Sequence, residues 1–208
     1  SDTVETISPV VDGYADTLQS ATALKFDANN RLVVADAVGR GDKADVFKVD
    51  ISDKTAAVSM SVNELTALLG NNQTIRINVY EGNNLTKVWK SFTVKNEARV
   101  FSDLLFKANT SYTFEVVGSG DNATQFEITL DKTDLAIDNS DDTLALAQTN
   151  GKVLAMPTAG NTLIYKDFVG FGDSADCQII EQAASGEYTF NLSNVSANTV
   201  MTVYEVQD

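Results

Sequence analysis

Apolar and polar residues alternate along most of the chain. The alternation is clearest in four segments, residues 47–51, 75–79, 112–116 and 126–130. Because neighbouring side chains of a strand point to opposite faces of a sheet, a period of two predicts strands with one buried face. Gly, Asn and Asp separate the short segments, which is typical of an antiparallel β-sandwich. Residues 82–84 and 118–121 are predicted to be hairpin turns.

One segment has helical features instead. Residues 61–69 begin with Ser61 as a capping residue, continue with helix-forming residues and stop at Gly70. This pattern predicts one short helix.

The chain contains an internal repeat. Two loops, starting at Asp36 and Asp167, share the pattern D-x-V-G-x-G-D-x-A-D, and each follows an Asp-Thr-Leu lead-in, at Asp16 and Asp142. The similarity extends downstream, where residues 57–61 match 188–192 and residues 75–81 match 200–205. The repeat predicts two tandem β-sandwich (jelly-roll-like) modules, at residues 14–133 and 134–208, after an N-terminal segment of residues 1–13.

The second copy is predicted to be incomplete. The first copy continues for about 50 residues beyond its match, whereas the second has only three more. Either the chain was cut from a longer protein, or the missing strands come from residues 4–11 or from a neighbouring molecule. An uncovered sheet edge favours association.

The composition excludes several kinds of chemistry. The 208 residues include no His and one Cys. They therefore hold no Ser-His-Asp or Cys-His machinery and no His-ligated zinc or iron. One Cys excludes an intrachain disulfide and a cysteine-cluster metal site. A net charge of −14 opposes binding to nucleic acid. The composition leaves three kinds of function: carboxylate catalysis, binding of a hard cation, or a non-catalytic role.

The sequence predicts an exported protein without membrane insertion. No stretch approaches the roughly 20 apolar residues of a membrane helix, and the acidic first residues are unlike a signal peptide. Ser1 is compatible with the removal of a leader. An acidic composition rich in Asn and Thr is similar to that of secreted bacterial β-proteins.

Two sets of aspartates are the candidate metal ligands: Asp36, Asp42 and Asp45 in the first loop, and Asp167, Asp173 and Asp176 in the second. Calcium takes six to eight oxygen ligands, often from flexible loops that also offer backbone carbonyls. The glycines of each loop would allow sharp turns. The alternative is that these aspartates cap turns through backbone N–H groups. Both interpretations stay open at this point.

The lead-in and the loop together resemble the bacterial pre-peptidase C-terminal domain family. Residues 108–116 are similar to that family's A-G-T-Y-Y-I-x-V segment, and residues 124–130 to its closing strand. The resemblance implies β-sandwich modules appended to secreted proteases and other exported proteins. Some members bind calcium, some bind polymers such as collagen, and no catalytic residues come with the family. Cys177 and Gln178 depart from the usual hydrophobic start of the strand.

Three further features bear on function: two pairs of carboxylates, the single Trp and the single Cys. Paired carboxylates, at Asp141–Asp142 or at Asp12 and Asp16, could serve a hydrolase that needs no His. Trp89 could contact a protein or glycan partner, or could cover the edge of the sandwich beneath lysine stems. A reactive thiolate needs a cationic neighbour, and the sequence neighbours of Cys177 are acidic, so an inert side chain is expected.

These features predict a non-catalytic accessory, adhesive or spacer module of a larger secreted or cell-surface bacterial protein, with calcium as its candidate cofactor and no cofactor as the alternative. Its partner is expected to be a protein or a glycan. A secreted carboxylate hydrolase, and a structural protein that self-associates by strand exchange through its second module, are the alternatives.

Overall fold

A computed structural model of the protein describes residues 12–69, 74–118, 123–135, 139–171, 173–182, 185–193, 195 and 198–205. The chain divides into two compact units, Ser1–Leu135 (unit 1) and Ala136–Asp208 (unit 2). The elements of unit 1 are a 3-10 turn, Leu18–Ser20, and the strands β1 Thr22–Leu24, β2 Arg31–Gly39, β3 Ala44–Asp50, β4 Ala56–Leu69, β5 Thr74–Glu81, β6 Lys90–Lys95, β7 Arg99–Phe106, β8 Ser111–Gly118 and β9 Ala123–Asp134. Those of unit 2 are helix α1 Leu144–Asn150 and strands β10 Val153–Ala155 and β11 Ile179–Glu181.

Unit 1 is a sandwich of two sheets. The first sheet has the strand order β1-β3-β8-β5-β6, and the second has the order β2-β9-β4-β7. The pairs are antiparallel, except that β1 runs parallel to β3. The predicted all-β class is therefore confirmed.

The core lies between the two sheets and is rich in aromatic rings. Phe47 stacks on Phe114 with a centroid distance of 4.9 Å, and Phe106 stacks on Tyr112 at 3.9 Å. All four rings are fully buried. The alternating segments supply β3, β5, β8 and β9, whose inward residues form this core. The period-two prediction is thus confirmed for these four strands.

The helix predicted over residues 61–69 is wrong. These residues form the second half of β4, which pairs with β9 on one side and, through Val62, with β7 on the other. Val62 points into the core and is buried. The segment pairs with β9 along its length and with β7 at Ser61 and Val62, and such tertiary pairing outweighs a weak helix propensity.

The two predicted turns differ in outcome. Residues 82–84 lie in the connection between β5 and β6, which are antiparallel neighbours, and Gly82 has the positive φ of 66° that such a turn uses. Gly118 is the last residue of β8, and β8 and β9 belong to opposite sheets. The predicted hairpin at 118–121 is therefore wrong, and residues 119–122 lie outside the described part of the chain.

Unit 2 has one helix and one short sheet among its described residues. The Thr143 hydroxyl caps α1 by accepting from the Leu146 N–H at 3.3 Å, and Gly151 ends the helix with a φ of 63°. Strands β10 and β11 pair in parallel. No helix in the described residues has the length and apolarity needed to cross a membrane.

Candidate metal centre

The candidate site begins in the short loop that joins β2 to β3. Gly39 and Asp42 exchange two backbone hydrogen bonds, Gly39 N–H to Asp42 O at 2.5 Å and Asp42 N–H to Gly39 O at 3.2 Å. Gly39 and Gly41 have φ angles of 138° and 93°, a region that strains any residue with a Cβ. The glycines therefore permit the tight loop that places Asp42 and Asp45 close together.

Three carboxylates meet at this loop. One oxygen from each of Asp12, Asp42 and Asp45 lies within 4.8 Å of the other two. Asp45 is in the second position of β3, Asp42 is in the loop, and Asp12 comes from the segment before β1. Asp12 is exposed, Asp42 is half-buried and Asp45 is fully buried. The cluster thus runs from the surface to the interior.

The polar atoms at the bottom of this cluster are unsatisfied. Both carboxylate oxygens of Asp45 and Oδ1 of Asp42 are buried without a hydrogen-bond partner in the described structure. The ion pairs of the described residues involve other carboxylates. Since an unpaired buried charge is costly, Asp45 must either take up a proton or share its charge with a cation.

The pKa values follow from this arrangement. Burial, and to a smaller extent the negative charges of Asp36, Asp42, Asp12 and Asp16, together raise the pKa of Asp45 to about 8. Burial also raises the pKa of Asp42 to about 6, with smaller contributions from Asp12 and Asp16, while a hydrogen bond from the Ala44 backbone opposes the shift. In the absence of a cation, Asp45 therefore retains its proton at neutral pH, whereas Asp42 is mostly ionised.

The predicted ligand Asp36 has a different position. Its Oδ2 accepts from the Gly13 N–H and its Oδ1 from the Ala37 N–H, both at 2.9 Å. Both oxygens are thus engaged by backbone, as the turn-capping alternative predicts for this one residue. The bond to Gly13 holds the neighbouring Asp12 at the loop. Asp12 was absent from the predicted metal ligands because it lies far from the loop in sequence.

Strand β8 also contacts the base of the loop. A Cβ added at Gly118 would lie 2.6 Å from the Gly39 nitrogen and 2.7 Å from the Val38 carbonyl carbon. Backbone atoms cannot move aside as a flexible side chain can. The close approach therefore requires glycine at this position.

We expect Gly118→Ala to lower the free energy of unfolding by about 1–3 kcal/mol, the usual cost of overpacking, as measured by urea unfolding. Gly186→Ala is the matched control, because its added Cβ would meet only ordinary contacts beyond 3.6 Å, with 3.7 Å to Tyr188 the shortest. Equal stability of both variants would contradict the close approach at Gly39.

The loop of unit 2 has the same backbone hydrogen bonds. Gly170 and Asp173 exchange two bonds of 2.7 and 3.1 Å. Cys177 N–H donates to Asp141 O at 2.6 Å, as Val46 N–H donates to Ala15 O at 2.6 Å in unit 1. Among the described residues, the acidic side chains of unit 2 form no group of three. Asp138, which matches Asp12 in the repeat, lies outside the described part.

Asp167 repeats the role of Asp36. Its Oδ1 accepts from the Asn139 and Phe168 N–H groups at 3.0 Å each, and its Oδ2 accepts from Ser140 Oγ at 2.6 Å and Tyr165 OH at 3.0 Å. Burial opposes ionisation, but these hydrogen bonds outweigh it and lower the pKa of Asp167. Asp173 is buried and Asp176 is half-buried.

Trp89 lies at the edge of the unit 1 core. Its ring packs 5.3 Å from the Tyr112 ring and 5.9 Å from the Phe106 ring, between centroids. Lys90 Nζ lies 5.2 Å from the centre of its outer face. Trp89 thus covers the edge of the sandwich, as one of its two interpretations predicts. A contact of its half-exposed ring with a partner stays a prediction. Cys177 is half-buried.

The two carboxylate pairs that could serve a hydrolase have different surroundings in the structure. Asp141 Oδ1 accepts from Asn150 Nδ2 at 2.5 Å, and Asp12 belongs to the three-carboxylate cluster. A cavity of about 300 Å³ is lined by Thr74, Arg76, Thr93, Val117 and Gly118. None of these five residues is acidic, so this cavity does not provide the two carboxyl groups of a glycosidase.

The fold and the site define an acidic β-sandwich protein with a carboxylate cluster in one loop. No known family model matches the sequence, and no curated protein matches it significantly.

Three solved structures share a general likeness. The pre-peptidase C-terminal domain of collagenase from Bacillus anthracis has a TM-score of 0.38 and 10% identity, over 54% of this chain and 94% of that one. A CBM4 structure has a TM-score of 0.31 and 11% identity, over 50% and 71%. A family two carbohydrate esterase from Cellvibrio japonicus has a TM-score of 0.26 and 12% identity, over 62% and 37%. At these scores the likenesses decide nothing about what this chain binds or does.

Proposed function

We propose that this chain is a non-catalytic binding or accessory module of a larger secreted or cell-surface bacterial protein, and that calcium held by Asp12, Asp42 and Asp45 stabilises unit 1. The observation that carries the calcium site is the fully buried Asp45 carboxylate, whose two oxygens have no partner in the described structure. A cation between Asp45 and its two acidic neighbours would remove this unfavourable burial.

Calcium is the cation that fits the donors best. It prefers carboxylate and carbonyl oxygens in an irregular shell of six to eight ligands. The cluster supplies three carboxylates. Magnesium demands stricter octahedral geometry and keeps more of its water. Softer metals favour His and Cys ligands, and the chain has no His and one Cys.

The accessory role is supported by composition and fold. A β-sandwich with a net charge of −14 presents a well-solvated surface suited to an extracellular spacer or binding module. The residues that resemble pre-peptidase C-terminal domains agree with such a role. The partner class we propose is a protein or a glycan.

A thermal melt tests the calcium site. We expect excess calcium, relative to EDTA, to raise the Tm of the full chain by roughly 5–10 °C. A ligand at 100 times its Kd stabilises the folded state by about 2.7 kcal/mol, and about 1 kcal/mol shifts Tm by some 2–4 °C in chains of this size. Calorimetric titration should give one calcium per unit 1, with a much smaller response to magnesium.

Two variants locate the effect. Asp45→Asn keeps the shape of the side chain and should remove the calcium shift. Asp53→Asn changes charge equally at an exposed position and should keep the shift. No rise in Tm with calcium, or an equal rise in both variants, would contradict the calcium site. These aspartates would then serve as buried acids and turn caps.

A further inference from the structure

A cavity lies on the outer face of the first sheet of unit 1. It has a volume of about 300 Å³ and is lined by Thr74, Arg76, Thr93, Val117 and Gly118. Val117, Arg76 and Thr93 lie directly opposite one another on β8, β5 and β6, so their side chains share one face of the sheet. Ile75 and Ile77, on either side of Arg76, are fully buried in the core. Arg76 therefore points away from the core, and the cavity lies on the outward side of the sheet.

Arg76 has no carboxylate partner among the described residues. It is exposed, and the ion pairs found in the described ranges use other cations, Arg31, Arg99, Lys107 and Lys132. None of the five lining residues is acidic. A guanidinium group presents a planar fork of N–H donors that matches the two oxygens of a carboxylate. Arg76 is therefore suited to bind an anionic ligand in the cavity.

The carboxylate in the neighbouring row of this face is held by other groups. Glu115 lies opposite Asn78, which is two residues along β5 from Arg76. Glu115 Oε2 accepts from Asn78 Nδ2 at 2.8 Å and from Tyr80 OH at 3.1 Å. Ser91 Oγ in turn donates to Asn78 Oδ1 at 2.8 Å. Neutral donors thus bind the Glu115 carboxylate in place of Arg76, and the charge of Arg76 stays directed to the cavity.

The other walls of the cavity define the kind of ligand. Thr74 and Thr93 offer hydroxyl groups, and Val117 adds a half-buried apolar surface. Ligand cavities span about 300–1,000 Å³, so this one suits a group of roughly the size of one sugar ring. A hexuronate ring carries a carboxylate for Arg76, hydroxyls for the threonines and an apolar C–H face for Val117. The cavity therefore matches the chemistry of an acidic sugar.

An acidic peptide fits this face less well. Extended peptides bind sheets by pairing with the backbone of an edge strand. Strands β5 and β8 are interior strands, each paired on both sides. The face beneath the cavity therefore offers side chains rather than backbone groups, which suits a sugar.

The local charge at the cavity favours an anion although the whole chain is acidic. The net charge of −14 opposes an anionic ligand at long range. At physiological ionic strength, however, charges are screened beyond about 8 Å. Lys95 lies opposite Thr74 on β6 and so belongs to the same face and the same end of the sheet as Arg76. These two cations therefore act on a bound carboxylate more strongly than acids farther away.

We propose that this cavity binds an acidic polysaccharide, with Arg76 holding the carboxylate of one uronic acid residue and Thr74 and Thr93 bonding to its hydroxyl groups. The proposal rests on the binding role proposed above and names the ligand class of that role. The site shares no residue with the cluster of Asp12, Asp42 and Asp45, so the two sites can be tested separately.

Calorimetric titration of the full chain, in excess calcium and physiological salt, tests the proposal. The probes are trimers of galacturonic, mannuronic and guluronic acid, each with its methyl ester as the uncharged control. We expect at least one trimer to bind in a one-to-one ratio. Its ester should bind about tenfold to a hundredfold more weakly, because the ester loses the charge-assisted pair with Arg76.

Two variants locate the binding. Arg76→Gln removes the guanidinium group and should weaken binding of the trimer by a factor similar to that of the ester. Arg99→Gln, at an exposed position of β7 in the second sheet, changes the net charge equally and should leave the affinity unchanged. Both positions are exposed, so we expect the two variants to keep the wild-type Tm.

Three results would overturn the proposal: no binding of any trimer, equal binding of a trimer and its ester, or wild-type affinity of Arg76→Gln for a trimer that binds. A peptide of three glutamates that binds at Arg76 as tightly as the best trimer would identify an acidic peptide as the occupant, and would also overturn it.

The calcium shift in Tm separates this proposal from the calcium site. It should be the same in Arg76→Gln and in Arg99→Gln. A missing calcium shift with intact trimer binding would contradict the calcium site alone. Trimer binding that is unaffected by Arg76→Gln would keep a glycan-binding role and contradict this cavity alone.

Discussion

Without calcium, unit 1 is expected to lose stability as the pH rises from about 5 to about 8. The pKa values of Asp42 and Asp45 are about 6 and about 8 in the folded state, against 3.8 for an ordinary aspartate. Between these limits the folded chain binds more protons than the unfolded chain, so raising the pH favours unfolding. The stabilising contribution is complete below about pH 4 and is lost as the pH passes through 6 and 8.

The effect is large because Asp45 is fully buried. At about 1.36 kcal/mol per pKa unit, its loss between about pH 4 and pH 9 has an upper limit of ~5 kcal/mol. Urea unfolding in EDTA across this range measures it. Asp45→Asn should flatten the dependence and be more stable than the wild type at high pH.

Calcium should reverse the trend. A cation binds the ionised carboxylates and competes with protons, so calcium should stabilise the wild-type chain more at pH 8 than at pH 5. A calcium-free stability that increases with pH, or an Asp45→Asn variant with the wild-type pH dependence, would contradict the buried cluster.

Phe114→Ala is expected to lower the free energy of unfolding of unit 1 by about 3–5 kcal/mol. The Phe114 ring is fully buried, stacks on Phe47 at 4.9 Å and lies 6.1 Å from the Phe106 ring. Removing it leaves a cavity between the two sheets, at the strand that holds the first sheet together. Urea unfolding followed by the fluorescence of Trp89 measures the loss.

Phe92→Ala is the matched control. Phe92 is half-buried on β6, the edge strand of the first sheet, and its ring contacts Phe101 at 4.6 Å. We expect less than half of the cost of Phe114→Ala, since the site is open to solvent and leaves no closed cavity. An equal loss in the free energy of unfolding for the two variants would show that the core does not lie around β8.

The strands of unit 1 could be predicted because alternation is a local signal. Each of β3, β5, β8 and β9 buries every second residue, so that the sequence of a single strand shows its inward face. The segment 61–69 gives no local sign of its strand structure because its main partner, β9, is distant in sequence. Its helix-forming residues are compatible with a strand once that partner is present.

The candidate site was predicted in part for a similar reason. Asp42 and Asp45 lie in one loop, and their spacing with the glycines was visible in the sequence. Asp12 joins them through bonds between distant segments, from Gly13 N–H to Asp36 and from Val46 N–H to Ala15 O. No local pattern distinguishes Asp36, which binds backbone, from Asp45, which is buried without a partner.

The burial pattern of β4 favours a different register for one part of the predicted repeat, which itself stays a prediction. The match of residues 57–61 with 188–192 places Phe190 against the half-buried Ser59. The buried residues of β4 at this point include Val58 and Met60. A shift of one residue aligns Phe190 with Val58 and Leu192 with Met60, since a one-residue slip moves every side chain to the other face.

The strand order of unit 1 has a consequence for its synthesis. The central strands of both sheets, β8 and β9, are the last two strands of the unit, and Arg31 on β2 pairs with Asp131 on β9. During synthesis, strands β2, β3 and β4 therefore emerge long before their main neighbours, β8 and β9, exist. The sandwich closes only when residue 134 is available, and pairings this remote close slowly, on the scale of about milliseconds to seconds. Until then the net charge of −14 opposes association between chains.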